Sequence, residues 1–327
     1  MRSINVLVSS AGRRVALLEC FRAALGDLGL AGQVLAADAS LLTAAGLRAD
    51  SFSQVPLVRD PSYRDRLSDL CREQRIGLLV PTIDTELDAI AAMRDDLQAA
   101  GTHALVSGPA TVALSLDKVA THRFLSENHL PAPTQWSGPD SLDMAPALPY
   151  PVIVKPRAGS ASKGITIVGH AEDLRHVSPD DSCVVQQLVA GQEFTIDVWA
   201  DSKGAVRAAI PRRRLEVRAG EVSKGMTQKH PAVMDAARAT VAALPDAYGP
   251  ITVQVIAKED SVAVIEVNPR FGGGFPLAWQ AGAGFPRWAL QDALGQPNTP
   301  RSFEWQDRLV MLRFDDAVFV EASKVGL

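Results

Sequence analysis

The stretch VIEVNPR, residues 264–270, places a carboxylate, an amide and a guanidinium close together as Glu266, Asn268 and Arg270. On a strand, Glu266 and Asn268 project from one face, separated by one pleat, because side chains alternate. An earlier run, ITVQVIA (251–257), and a KEDS turn make the pair a hairpin. Counting back across that turn puts Gln254 on or near the rung opposite Glu266, able to face the same way. Three oxygen donors on one sheet face suit Mg²⁺, which takes carboxylate, amide and water oxygens and shares them with nucleotide phosphates. Arg270 cannot lose its charge, so it can neutralise a phosphate. The competing reading is an exposed polar strand face with a solvated arginine.

Other residues point to the same chemistry. Lys155 ends the apolar run VIVKP, and the small-residue loop RAGSASKG (157–164) follows, with Gly159, Ser160, Ala161, Ser162, Lys163 and Gly164. Such a loop lets backbone N–H groups wrap phosphate oxygens, and Lys163 adds charge; the alternative is a hairpin tip. It is not a Walker loop, because no GKS/T follows and the next element is a strand. In QQLVAGQEF, Gln186, Gln187, Leu188 and Val189 lie at a strand end suited to gripping an adenine edge through backbone groups. Glu193 follows in a turn where it can meet ribose hydroxyls. The run PRRRLEVRAGEVSKG (211–225) is either a solvated charged strand and turn or a substrate surface, with Arg214 and Arg218 on a carboxylate or γ-phosphate. Asp84 and Glu86 follow an apolar run, where open α/β sheets bind ligands, and are placed to grip an ammonium; acids at a helix N-terminus read the same way. The segment FGGGFPLAWQAGAGF (271–285) includes Gly273 and Gly274, which permit close backbone approach by a ligand or unusual dihedrals.

The elements that must position these groups follow from periodicity. Apolar runs at 4–8, 33–38 and 76–82, alternating with helical stretches such as 15–28, predict βαβ units around a parallel sheet. A turn Ser-Ala-Gly-Arg follows the first run, but GxGxxG is absent, so nothing marks a dinucleotide site. A helix over 117–128 ends at Pro131-Ala-Pro133, and the proline-rich stretch 137–151 reads as a surface loop. Strands then dominate at 150–156, 164–169, 182–189 and 193–201, with a helix near 231–244 before the hairpin. The fold class is therefore α/β plus α+β, with a Rossmann-like α/β block over residues 1 to about 110.

Composition narrows the classes. With 327 residues, 47% hydrophobic and 21% charged, the chain can bury substantial cores, and its net charge of −4 argues against a nucleic-acid partner. The N-terminus shows no signal-peptide pattern and no run approaches the roughly 20 apolar residues of a membrane span, so a cytoplasmic protein with no membrane partner is expected. The three cysteines, Cys20, Cys71 and Cys183, lack CxxC spacing and read as buried structural thiols.

In order along the chain, Asp117-Lys118, VIVKP, the small-residue loop, VVQQLVAGQEFTID, and then Gln254, Glu266, Asn268 and Arg270 resemble the ATP-grasp superfamily. The branch is similar to one ATP-binding half of the carbamoyl-phosphate synthetase large subunit, over about residues 4–290. The resemblance implies an ATP-grasp fold with an N-terminal Rossmann-like domain over 1–113, a small flap domain over 114–187 and a larger α+β domain over 188–327. It further implies that Lys118 and Lys155 contact ATP phosphates and that residues 159–164 form a flap. Gln186, Gln187, Leu188 and Val189 would line the adenine site and Glu193 the ribose, with two Mg²⁺ (or Mn²⁺) ions on Gln254, Glu266 and Asn268. Arg270, with Lys155 and Arg214, would act on the transferred phosphoryl group. One copy of the unit, no charged run after Arg270, and the glycine-rich ending look like the amide-forming ligases related to pyrrolysine biosynthesis. The expected activity is joining of a small-molecule carboxylate and amine through an acyl-phosphate, with a homodimer one admissible assembly. The rival readings are another ATP-grasp enzyme (a carboxylase or phosphotransferase) and a non-catalytic nucleotide-binding module.

Overall fold

The computed structural model describes residues 2–159, 164–218, 220–259, 261–296 and 304–327. The first part comprises β1 (Asn5–Val8), α1 (Val15–Asp27), β2 (Val34–Asp38), α2 (Ala44–Arg48), β3 (Phe52–Gln54), α3 (Tyr63–Glu73), β4 (Ile76–Val80), α4 (Asp84–Ala92), α5 (Arg94–Ala99), β5 (His103–Ala104) and α6 (Pro109–Leu116). Its strands form a parallel sheet in the order β3-β2-β1-β4-β5. Val6, Leu7 and Val8 are all fully buried, as expected of a parallel strand covered by helices on both faces. The strand order reverses between β1 and β4. The turn 9–14 after β1 and the turn 81–84 after β4 therefore flank the switch point, where such sheets bind ligands.

The next part holds α7 (Lys118–Glu127), β6 (Gln135–Ser137), α8 (Gly138–Asp143), β7 (Val152–Pro156), β8 (Thr166–Val168), α9 (Ala171–Val177) and β9 (Cys183–Gln187), with an antiparallel sheet β6-β9-β7-β8. The stretch 137–151, expected as a loop, contains α8 and a 3₁₀ turn, Ala145–Ala147. Composition hid the helix: Ser137 caps it by accepting from the Asp140 N–H, and Pro139 sits in its first turn, where proline's missing N–H costs nothing. Cys20 and Cys71 are buried, whereas Cys183, at the head of β9, is only half-buried.

The remaining elements are β10 (Gln192–Ala200), β11 (Val206–Arg218), β12 (Glu221–Thr227), α10 (Pro231–Ala243), β13 (Gly249–Lys258), β14 (Ser261–Asn268), α11 (Phe275–Gln280), α12 (Phe285–Ala293) and β15 (Val310–Leu312). They build an antiparallel sheet in the order β14-β13-β10-β11-β12-β15. Alternation splits this sheet into two faces. Phe194, Ile196, Val198, Val253, Val255, Val264 and Val267 pack on Val233, Ala237 and Val241 of α10, each buried side chain contributing roughly 1.5–3 kcal/mol. The opposite face is polar at Thr195, Gln254, Glu266 and Asn268, where it carries the site, and apolar at Trp199 and Ile210.

A second core fixes the first part against that sheet. Phe21 of α1 meets Phe271 edge-on at 5.9 Å, and Phe271 lies 4.6 Å from Phe275. Phe285 and Trp288 of α12 pack on Trp199 of β10, and all of these belong to one cluster with Val6 and Val8 of β1. The switch-point turns are thereby held over the polar sheet face. Among the described residues, no helix is long and apolar enough to cross a membrane.

Candidate active site

Two clefts meet on the polar face. The first, of about 240 Å³, lies between the four-stranded and six-stranded sheets and is lined by Lys118, Lys155, Gly159, Gln186, Gln187, Leu188, Val189 and Glu193, with Gln254 and Glu266 at its inner end. The second, of about 280 Å³, opens from the same Gln254 and Glu266 toward Asn268, Arg270, Arg214, Gly273, Gly274, Asp84 and Arg14. Among the described residues, only Gln254 and Glu266 line both, so one compartment is continuous with the other at these two side chains.

Gln254 stands directly opposite Glu266, and Thr252 opposite Asn268. A bulge produces this register. Lys258 pairs with Ser261 and Val255 with Val264, but the next rung skips Ile265. Val264 consequently stays on the core face while Glu266 and Asn268 share the polar one. Neither Gln254 nor Glu266 makes a side-chain hydrogen bond or ion pair among the described residues, and Asn268 Oδ1 receives only a long bond, 3.4 Å, from Arg270 Nη2. Burial holds the Glu266 carboxyl above the usual carboxylate range against the pull of Lys118, Arg270 and Lys155. A half-buried carboxylate with cations nearby and no hydrogen-bond donor among the described residues fits a cation ligand. No group of three His, Cys, Asp or Glu side chains suited to a metal occurs among the described residues, so an ion here would take one carboxylate and two amides from the protein. Mg²⁺ accepts such a set, completing it with phosphate and water oxygens.

The cations around the first cleft are braced. Lys155 Nζ donates to Gln186 Oε1 at 2.8 Å, Gln186 Nε2 to Gln135 Oε1 at 3.2 Å, and Gln135 Nε2 to the Lys118 carbonyl at 3.2 Å. The Gln186 side chain thus orients a lysine, leaving its backbone and the Gln187–Val189 segment along the cleft wall. Burial, then the charge of Lys118, pushes Lys155 down to about 8, with Glu266 opposing. Lys118 Nζ donates to the Gly159 carbonyl at 2.8 Å, tying the helix start to the base of the small-residue loop. Gly159 has φ of 107° and Gly164 of 71°, left-handed values that favour glycine. Ser160, Ala161, Ser162 and Lys163, expected in the flap, lie outside the described residues.

Four expectations change. Asp84, read as an ammonium grip, has both oxygens occupied: Arg270 Nε and Nη2 donate to Oδ1 and Oδ2, each at 2.7 Å. Asp84 therefore orients Arg270 across the two parts of the molecule. Glu86 does not face the cleft; it is fully buried, accepting from the Thr82 and Ile83 N–H groups, Ser10 Oγ and Tyr63 Oη, and so closes the start of α4 on the turn after β1. Arg218 is exposed beside Glu216, outside both clefts, at the last pair of the β11–β12 hairpin. Gly272, Gly273 and Gly274 have no positive φ; a Cβ at Gly274 would lie 2.2 Å from Arg212 Nη1, and one at Gly273 2.8 Å from Arg14 Nη1. The triplet accommodates the protein's own guanidinium groups against the backbone.

Arg214 does reach the second cleft, where it is ion-paired with Glu193, the residue expected at the ribose. Arg212 and Arg14 were missed as individuals. Arg212 is fully buried and bidentate to Asp197, its diagonal neighbour across β10–β11. A lone acid in the apolar run FTIDVWA and an arginine within AAIPRRR were the available signals. Arg14 follows the small-residue turn after β1, and the signal was that turn's place at a strand end.

The sequence matches the family described as ATP-grasp domain over residues 115–274 and that described as PylC-like, N-terminal domain over residues 6–105. Residues 115–274 belong to the ATP-grasp superfamily. It is 24% identical over 174 residues to D-alanine–D-alanine ligase of Corynebacterium aurimucosum, covering 50% of this chain and 49% of that protein. The chain thus spans about half the length of the curated relatives it matches. Among solved structures, N5-carboxyaminoimidazole synthetase from Staphylococcus aureus complexed with ADP superposes with a TM-score of 0.75 at 16% identity, over 96% of this chain and 83% of that one. L-amino acid ligase from Bacillus licheniformis gives 0.66 at 21% identity, over 90% and 75%. At these identities the likeness is one of fold.

Proposed function

We propose that the protein is an ATP- and Mg²⁺-dependent carboxylate–amine ligase acting through an acyl-phosphate and releasing ADP and phosphate. The observation that carries this reading is the meeting of two clefts at Gln254 and Glu266. The nucleotide occupies the first, with Lys118 and Lys155 on its phosphates and residues 186–189 beside the base. The carboxylate and amine occupy the second. Gln254, Glu266 and Asn268 would hold two Mg²⁺ ions, which supply charge neutralisation at the phosphates. The names of the relatives, two amino-acid ligases and an ADP-bound synthetase, support the reading.

Amide formation from a free carboxylate is uphill and hydroxide leaves poorly. Transfer of the γ-phosphoryl group to the carboxylate makes phosphate the leaving group, and the amine then attacks the acyl carbon. The protein's part is positioning and charge neutralisation, which dominate phosphoryl transfer. Arg270, aimed by Asp84, faces the second cleft from beside Asn268, where the transferred group passes. A flap over the phosphates, the role the resemblance implies for residues 159–164, would exclude water that hydrolyses the acyl-phosphate.

Hydroxylamine tests the reading. With MgATP and a panel of carboxylates it should replace the amine and yield a hydroxamate, with ADP and phosphate released in equal amounts. Glu266→Ala should abolish this without lowering the melting temperature. ATP use that needs bicarbonate and no amine, or a stable phosphorylated product without hydroxamate, would sink it.

A further inference from the structure

The second cleft is lined by four arginines, Arg14, Arg212, Arg214 and Arg270. Arg270, Arg214 and Arg212 are each committed to an acid, namely Asp84, Glu193 and Asp197. Arg14 is different. Among the described residues no carboxylate lies within ion-pair distance of it, and its guanidinium makes one hydrogen bond, a long one from Nη2 to the Thr82 carbonyl at 3.4 Å. The acid nearest to it in effect is Glu221, and that carboxylate is already paired with Arg313 at 3.1 Å and Arg13 at 3.9 Å. Although burial opposes it, Arg14, Arg313 and Arg13 together hold Glu221 below the usual carboxylate range. One acid therefore serves three guanidinium groups, and of the three arginines only Arg14 lines the cleft.

The placement is built. Arg14 sits in the turn after β1 at the switch point of the parallel sheet, and Gly273 lets its Nη1 lie against the glycine loop, where a Cβ would come within 2.8 Å. Burial and the charge of Arg270 depress its pKa to about 10, so its present surroundings disfavour the cation that an incoming anion would stabilise. A planar guanidinium so presented matches a carboxylate bidentately.

Resting on the ligase reading of this cleft, we propose that Arg14 binds a substrate carboxylate that is not the one activated. One of the two substrates then carries an acid group that survives the reaction. It is either an amino acid used as the amine or a dicarboxylate used as the acyl donor, and a cleft of about 280 Å³ suits molecules of that size.

Calorimetric titration of the full chain tests this without turnover. The probes are matched pairs: succinate against succinamate, glutarate against glutaramate, and a set of L- and D-amino acids against their carboxamides. Wild type should bind at least one acid on the order of 30-fold more tightly than its amide, as a charge-assisted pair would give. Arg14→Gln should reduce that ratio to about 3-fold or less, and Arg14→Lys, which keeps charge but loses the fork, should give an intermediate ratio. Which pair responds assigns the surviving acid to the amine or the acyl donor. If Arg14→Gln fails to fold, the fall in ratio with Arg14→Lys decides the question. Failure of wild type to distinguish any pair, or discrimination that survives both substitutions, overturns the proposal. Arg14-dependent discrimination in a protein that forms no hydroxamate would remove the ligase reading and leave this subsite standing.

Discussion

Asp84→Asn separates two roles for this acid, because the substitution keeps the size of the side chain while removing its charge. In the native protein two charge-assisted hydrogen bonds of 2.7 Å join Asp84 to Arg270, and the partners are only 14% and 12% exposed. Asparagine retains one acceptor and turns an N–H₂ toward the guanidinium, so one bond and the charge attraction go. Hydrogen bonds to charged groups contribute about 1.5–3 kcal/mol net, and loss of one aimed stabiliser of developing charge costs about 3 kcal/mol. That corresponds to roughly a 100- to 200-fold fall in kcat/KM. Since Arg270 faces the phosphoryl group in our reading, ADP release and amide formation should fall together, with KM for the amine little changed. Steady-state coupled ADP release and product chromatography on the same samples measure both. Loss of amide with ADP release at the wild-type rate would refute the reasoning and restore Asp84 as an ammonium grip.

Nucleotide affinity should depend on pH through Lys155. Its folded pKa is depressed to about 8, so the cation that attracts phosphate is present below that pH and is lost from the free protein above it. ATP affinity, measured by calorimetry from about pH 7 to 9.5, should decline above 8, and Lys155→Arg should flatten the decline because arginine stays charged; a flat wild-type profile rules this out. The sign for stability is opposite: burying a charged Lys155 costs stability below about 8, and the cost is relieved as pH rises toward the unfolded value. Gly274→Ala should destabilise by about 1–3 kcal/mol or more in urea, because its Cβ must displace the buried Arg212. Gly169→Ala, with nothing near its Cβ, is the control and should stay within about 0.5 kcal/mol. Equal effects at the two positions would show that the guanidinium does not constrain the glycine loop.

Much of the site was legible in one dimension. Strand alternation alone puts Glu266 and Asn268 on one face, since that rule depends only on backbone geometry. Apolar runs interrupted by helical periodicity likewise located β1, β2 and β4, and the carboxyl ends of such strands mark where a ligand binds. Local patterns carry these facts because they are consequences of local conformation.

The partners of those residues were decided elsewhere. Counting across the hairpin brings Gln254 only on or near the rung opposite Glu266; the bulge at Ile265 makes the two direct partners. The alternation of Val264 and Glu266 across two faces requires that extra residue, since both are separated by an even number of positions yet one belongs to the core. Asp84 lies 186 positions from Arg270, and neither residue type nor spacing reveals that a carboxylate at the end of one sheet aims a guanidinium at the end of another. The glycine triplet looks like room for a ligand until Arg212 and Arg14 are seen against it. Sequence alone determined which faces and strand ends bear polar groups, because those follow from backbone periodicity. Tertiary structure decided which charges neutralise one another and which one, Arg14, is left facing the cleft, because Coulomb attraction depends on distance in space and chain separation does not encode it.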